Sequence, residues 1–107
     1  MAFAIIYTTH SSEVAAQAVS DHLLQMRLIA CANIFPITSA YWWQDALQQE
    51  GEWVALLKTR LSYWERIEAE IVKIHPYETP CIIKMEVEAN AAYEEWIESE
   101  TNNGQET

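Results

Sequence analysis

The order of apolar segments along the chain is the feature that most restricts its fold. Strand-like apolar runs and stripes of helical spacing alternate as βαββαβ, and a short helix follows the last strand. This is the split βαβ, or ferredoxin-like, arrangement of an α+β protein. The length of 107 residues is typical of one domain. We expect that domain to span residues 1–98, followed by a flexible polar tail over residues 99–107.

The first half of the chain is predicted from local patterns. Residues 3–7 form a near-continuous apolar run, as in a central strand. A helix follows from about Ser12, with Ser11 or Ser12 as its cap. The second strand begins at Cys31, and Pro36 within it implies a bulge or an edge position. Polar residues 44–50 predict a turn before a third strand over residues 53–60. The expected buried stripe of the helix is Val14, Ala15, Ala18, Val19, Leu23 and Met26.

The second half is predicted in the same way. The segment 62–65 matches a capping box, which predicts that the second helix starts at Ser62 and continues to His75. A fourth strand is expected over residues 81–87. A short helix over residues 92–97 would carry Tyr93, Trp96 and Ile97 on one side.

Two helices can cover only one face of a four-stranded sheet. The second and third strands are apolar on both faces in places, and half of all residues are hydrophobic, with five Trp. This is more apolar surface than one small core readily hides. We therefore expect the other face of the sheet to pack on another copy of the same chain.

The charge of the chain excludes several partners. A formal net charge of −10, from 16 acids and 6 bases, leaves no basic patch for nucleic acid or for an anionic membrane surface. No apolar run reaches membrane-spanning length. Cys31 and Cys81 lie far apart in sequence without a CxxC motif, which favours reduced thiols in a cytoplasmic protein, although one disulfide remains compatible with the sequence.

The segment from His75 to Pro80 places an imidazole, a phenol and a carboxylate between two prolines. Each proline disfavours helical geometry in the residue before it, so the segment is predicted to be a stiff connector. Its simplest interpretation is a helix stop followed by a strand start. The alternative is a functional site carried by a loop.

Individual polar residues have structural explanations as well as functional ones. Both Cys31 and Cys81 are expected to pack as small hydrophobes. Lys58 lies on an apolar strand face and needs a partner; Glu52 is too far along the strand, which leaves Glu78 as the candidate, in the same or a neighbouring subunit. A hydrolase using His75 and Glu78 is disfavoured because no nucleophile with an oriented base is visible.

Several segments together resemble one known family, the CutA divalent-cation tolerance proteins, over residues 2–97. The resemblance is carried by Ala30-Cys31-Ala32-Asn33-Ile34, Pro36, Ser39, Tyr41-Trp42-Trp43, Lys58-Thr59, His75-Pro76-Tyr77-Glu78-Thr79-Pro80, and Tyr93 with Trp96. It implies a ferredoxin-like homotrimer in which the long strands of each subunit join its neighbours. It also implies a likeness to the PII signalling proteins, which place small ligands in clefts between subunits.

The resemblance further implies site residues. Cys31 and His75 match the positions proposed in the family for metal binding, and Lys58, Tyr77 and Glu78 match positions near the intersubunit cleft. The family is linked to copper tolerance, and no enzymatic reaction is established for it. The resemblance therefore implies a non-enzymatic trimer that weakly binds copper or another divalent cation. The alternative is a PII-like protein with a small organic ligand in its cleft.

Two departures from the family pattern affect these expectations. Gln44-Asp45 stands where the family often has Lys-Gly, which removes a basic residue and a flexible turn. Cys81 stands where the family often has an acid, which adds a soft donor if its side chain is accessible.

Overall fold

Four strands and three helices alternate along the chain. The structure is a computed structural model that describes residues 2–101. Its strands are β1 (Phe3–His10), β2 (Cys31–Trp43), β3 (Ala46–Thr59) and β4 (Ile82–Val87). Its helices are α1 (Glu13–Gln25), α2 (Trp64–Ile74), which follows a 3-10 turn at Leu61–Tyr63, and α3 (Ala91–Glu100). None of the helices in residues 2–101 is both long and apolar enough to cross a membrane.

The strands form one antiparallel sheet in the order β2-β3-β1-β4. This order confirms the predicted ferredoxin-like fold. Helices α1 and α2 cover one face, where Ile6 and Leu57 of the sheet meet Leu23 of α1 and Ile71 of α2 in the core. Trp53 packs against this same core, so the face that it shares with Ala55 and Leu57 is the covered one.

The pairing of β2 with β3 extends well beyond the core. It runs without interruption from Cys31 opposite Lys58 to Trp43 opposite Ala46. Pro36 lies on the edge strand β2, as predicted, and the ladder has no bulge there. The predicted turn over residues 44–50 is wrong, because only Gln44 and Asp45 form the turn. Both have positive φ, 50° and 62°, as a two-residue hairpin of type I′ requires.

Helix α1 begins at the predicted serine N-cap. Ser12 is its N-cap, and its side chain accepts a hydrogen bond from the Ala15 N–H at 3.0 Å. The buried stripe is rotated from the predicted one. Val14 is 79% exposed, and the helix instead buries Ala16, Val19, Ser20 and Leu23. This spacing of three and four residues still defines one helical face.

The start of α2 differs from the predicted capping box. The residues Leu61–Tyr63 form a 3-10 turn, and α2 begins at Trp64 without a side-chain cap. The Arg60 guanidinium lies over the Tyr63 ring, 5.0 Å from its centroid. Tyr63 is buried in the core, and this packing of the preceding turn holds the helix start in place of a cap.

Helix α3 is longer than predicted. It continues to Glu100, and the following Thr101 is buried. Arg60 holds this end of the helix, because its Nε donates to Thr101 Oγ1 at 3.0 Å and another guanidinium N–H donates to the Glu98 carbonyl. Residues 99 and 100 of the predicted tail are therefore helical, and residues 102–107 lie outside the described part of the chain.

The two neighbouring serines give a matched test of the α1 cap. Ser12→Ala removes the acceptor for the Ala15 N–H, and we expect it to lower the free energy of unfolding by about 1 kcal/mol. Ser11→Ala and Ser62→Ala should change it by no more than a few tenths. Chemical denaturation at one fixed protein concentration measures all three. Equal effects at Ser11 and Ser12 would contradict the cap assignment.

Candidate functional site

A cleft of about 520 Å³ lies between the β2–β3 hairpin and the connector that joins α2 to β4. Four aromatic residues and three acids dominate its wall. They are Tyr41, Trp42, Trp43, Tyr77, Glu50, Glu52 and Glu78, and Thr9, Thr79 and Cys81 complete the lining. The volume is in the range of small-molecule sites, roughly 300–1,000 Å³.

His75 holds the connector against the sheet. Its Nε2 lies 2.8 Å from the Thr9 carbonyl oxygen, and its Nδ1 lies 3.2 Å from the Tyr77 backbone nitrogen. A carbonyl only accepts and an amide N–H only donates, so Nε2 of His75 is the donor and Nδ1 is the acceptor in these two hydrogen bonds. Both ring nitrogens are therefore already hydrogen-bonded within the chain.

His10 stacks on His75 with ring centroids 4.8 Å apart. It is buried, and its Nε2 lies 2.7 Å from Thr8 Oγ1. Burial lowers the pKa of His10 from 6.5 to about 4, with a smaller contribution from the nearby His75. His10 is therefore neutral at pH 7.

Two of the cleft acids accept hydrogen bonds from tyrosine hydroxyls. Tyr77 donates its hydroxyl to Glu52 Oε2 at 2.9 Å, and Tyr41 donates its hydroxyl to Glu50. Burial and the bond to Glu52 raise the pKa of Tyr77 above its ordinary value. The bond to Glu50 is the main cause that raises the pKa of Tyr41 to about 12. Both phenols thus remain protonated donors at neutral pH.

Both cysteines are free and half-buried. Cys81 lines the cleft and is not part of the hydrophobic core, contrary to the prediction that it packs there as a small hydrophobe. Burial, and secondarily the charge of Glu52, raises the pKa of its thiol, against a smaller opposite effect of a hydrogen bond with Thr9. At neutral pH the Cys81 side chain is a thiol, not a thiolate.

The chain places Cys31 and His75 at different ends of the sheet. Cys31 is opposite Lys58, which is opposite Ile5, whereas His75 binds Thr9. Four residues of strand separate these levels by ~13 Å. In residues 2–101, no group of three or more His, Cys, Asp or Glu is arranged to hold a metal ion.

Lys58 lies at the same end as Cys31, away from the cleft. Its Nζ donates to the Tyr93 hydroxyl at 3.2 Å and lies 5.4 Å from the centroid of that ring. Within one chain the partner of Lys58 is therefore Tyr93 and not the predicted Glu78, which lines the cleft. Tyr77 and Glu78 both line the cleft.

Sequence reasoning missed five of the aromatic and acidic cleft residues: Tyr41, Trp42, Trp43, Glu50 and Glu52. The signal was present in β3, where Glu50 and Glu52 alternate onto one face. It was missed because residues 44–50 were assigned to a turn. Once β3 is extended to Ala46, its register brings Glu50 opposite Ser39 and close to Tyr41.

Fold and cleft together define a ferredoxin-like α+β protein with an elongated strand pair and an acidic, aromatic cleft at its base. The family model described as "CutA1 divalent ion tolerance protein" matches residues 4–100. The chain therefore belongs to the CutA1 divalent ion tolerance family, as its sequence motifs implied.

Individual relatives agree with this assignment. The divalent-cation tolerance protein CutA of Pyrococcus horikoshii is 40% identical over 98 residues, which cover 91% of this chain and 96% of that protein. The crystal structure of CutA1 from the same organism has a TM-score of 0.87 at 38% identity and covers 91% and 96% of the two chains. A structure from Archaeoglobus fulgidus, described as a periplasmic divalent cation tolerance protein CutA, has a TM-score of 0.89 at 32% identity over 94% and 99%.

The buried His10 predicts an acid-sensitive fold. Between pH 6.5 and about 4 the unfolded chain binds a proton at His10, whereas the folded protein does not. The contribution of neutral His10 to the free energy of unfolding is therefore fully present above pH 6.5 and is lost as the pH falls towards 4. We expect a loss on the order of 2 kcal/mol by pH 4. His10→Gln should remove this part of the dependence. Parallel pH profiles of unfolding free energy for the parent and the variant would contradict the assignment.

Proposed function

We propose that this protein is a non-enzymatic homotrimer that weakly binds divalent metal ions, copper among them. The observation that carries the proposal is membership of the divalent ion tolerance family over almost the whole chain. The free cysteines support a cytoplasmic location.

Uncovered apolar surface supports the trimer. On the sheet face opposite α1 and α2, Ile83 is 48% and Met85 is 39% exposed, and Trp42 on the hairpin is 72% exposed. The edge strand β2 also offers unpaired backbone groups along its length. Neighbouring copies of the chain would bury these apolar side chains and would pair the free backbone groups of this edge.

Assembly can be tested with two exposed aliphatic residues. We expect native mass spectrometry to give three times the chain mass of 12.3 kDa. Ile83→Asp places a charge on the uncovered face and should shift the protein towards monomer. Val14→Asp, on the exposed side of α1, should leave the mass unchanged. A parent mass of one or two subunits, or equal behaviour of both variants, would contradict the trimer.

The metal proposal uses Cys31 as a soft donor and His75 as a borderline one. Because one chain holds them apart, a site that uses both would combine residues from different subunits, with water or Cys81 completing it. His75 would also have to give up one of its two hydrogen bonds. We expect weak, open coordination, because the protein supplies only two ligands and because His75 would lose a hydrogen bond on binding the metal.

A copper titration tests the ligands. We expect about one Cu(II) per subunit with a Kd on the order of micromolar or weaker, as befits an incomplete ligand shell, and weaker binding as the pH falls and the donors protonate. Cys31→Ser and His75→Ala should each weaken binding about tenfold or more. His22→Ala removes a partly exposed histidine elsewhere and serves as the control. If all three variants bind copper like the parent, Cys31 and His75 are structural.

A second candidate function is favoured by the cleft itself. A PII-like protein would hold a small organic ligand there, and Tyr77 and Glu78 both line the cavity. Lys58 would contribute to such a site only from a neighbouring subunit, since within its own chain it contacts Tyr93. Native mass spectrometry of freshly purified protein would report a retained ligand together with the oligomer mass.

A further inference from the structure

The cleft contains negative charge that no cation of the described chain compensates. Glu52 is 7% exposed, and among residues 2–101 its hydrogen-bond partner is the neutral hydroxyl of Tyr77. The salt bridges of His22, Arg27, Arg60, Lys73 and Lys84 involve acids that do not line the cleft. A carboxylate withdrawn from water is stabilised when a positive charge accompanies it. Within residues 2–101 of a single chain the cleft carboxylates therefore have no cationic partner.

The walls around this carboxylate are aromatic. Tyr41, Trp42, Trp43 and Tyr77 line the same cavity. The faces of such rings attract cations, and Trp does so most strongly. The bonds from Tyr41 to Glu50 and from Tyr77 to Glu52 hold two of the rings beside the acids. A positive ligand would thus meet charge and ring surface together.

The spacing of the acids distinguishes between kinds of cation. No group of three or more His, Cys, Asp or Glu in the described chain is arranged to hold a metal ion. Carboxylates spread among aromatic rings, in a cavity of about 520 Å³, match a larger and weakly hydrated cation. Alkylated ammonium ions have these properties and are recognised by aromatic cages.

We propose that this cleft binds an organic ammonium ion. Glu52 and Glu50 supply the opposite charge, and Trp43 and Tyr77 supply the aromatic surface. The inference specifies the ligand class for the second candidate function, on which it rests. It uses other side chains than the proposed metal ligands Cys31 and His75.

Tetramethylammonium is a suitable probe because it has a permanent charge and no hydrogen-bond donor. Isothermal titration of the full-length assembled protein would compare it with tert-butanol, which is uncharged and has nearly the same shape. We expect the ammonium ion to bind at least tenfold more tightly. Its affinity should fall as the ionic strength rises.

Substitutions identify the residues. We expect Glu52→Gln to weaken ammonium binding about tenfold and Trp43→Leu to weaken it threefold or more. Glu88→Gln makes the same change in net charge at an exposed position outside the cleft and should change binding less than twofold. Circular dichroism and native mass establish that each variant is folded and assembled. If Glu52→Gln does not fold, the exposed Glu50→Gln is the alternative, with an expected loss of threefold or more.

Three outcomes would overturn the inference. Equal affinity for tetramethylammonium and tert-butanol would show that charge is not recognised. Binding of benzoate but not of the ammonium ion would keep an organic ligand in the cleft and reverse its charge, so the second candidate function would survive. An intact trimer that binds none of these probes would mean that a neighbouring subunit fills the cleft, and the proposed assembly would stand without this site.

Discussion

The long pairing of β2 with β3 is the constraint on which the other features of this protein depend. Helices α1 and α2 cover only the part of the sheet near Ile6, Ala55 and Leu57, yet the ladder continues to Trp43 opposite Ala46. A two-stranded ribbon of this kind has little stability alone in water. Its aromatic residues and uncovered edge therefore require contacts that α1 and α2 do not provide.

His75 links this hairpin to the rest of the fold. The prolines on its C-terminal side end α2 and stiffen the connector, and the imidazole bonds both the Thr9 carbonyl and the Tyr77 amide. These bonds place the Tyr77 hydroxyl on Glu52 of β3. The two interpretations of the His75–Pro80 segment, a helix-to-strand junction and a site on a loop, are thus compatible, since the junction builds the cleft wall.

Periodicity was sufficient to predict the fold because each element carries its own apolar pattern. Residues such as Ile67 and Ile71 of α2 report their burial through local spacing alone. The cleft could not be predicted from local patterns, because it depends on long-range pairing. The polar start of β3 forms a strand only because β2 pairs with it. Tyr93 contacts Lys58 for a similar reason, since the placement of α3 over the sheet is a tertiary property. The capping-box motif at Ser62 predicted the wrong start for α2, because the packing of Tyr63 in the core holds the helix start instead.

The distribution of charge distinguishes the two ends of the sheet. Arg60 is used at the end of α3, and Lys58 lies under Tyr93, so these bases stabilise the end of the sheet that carries Cys31. The cleft end holds Glu50, Glu52 and Glu78, where phenol donors leave the negative charge in place. A metal ion needs donors that converge on a point, whereas a large cation needs opposite charge and a surface to lie on. The cleft supplies the second combination, and it lies at the opposite end of the sheet from Cys31.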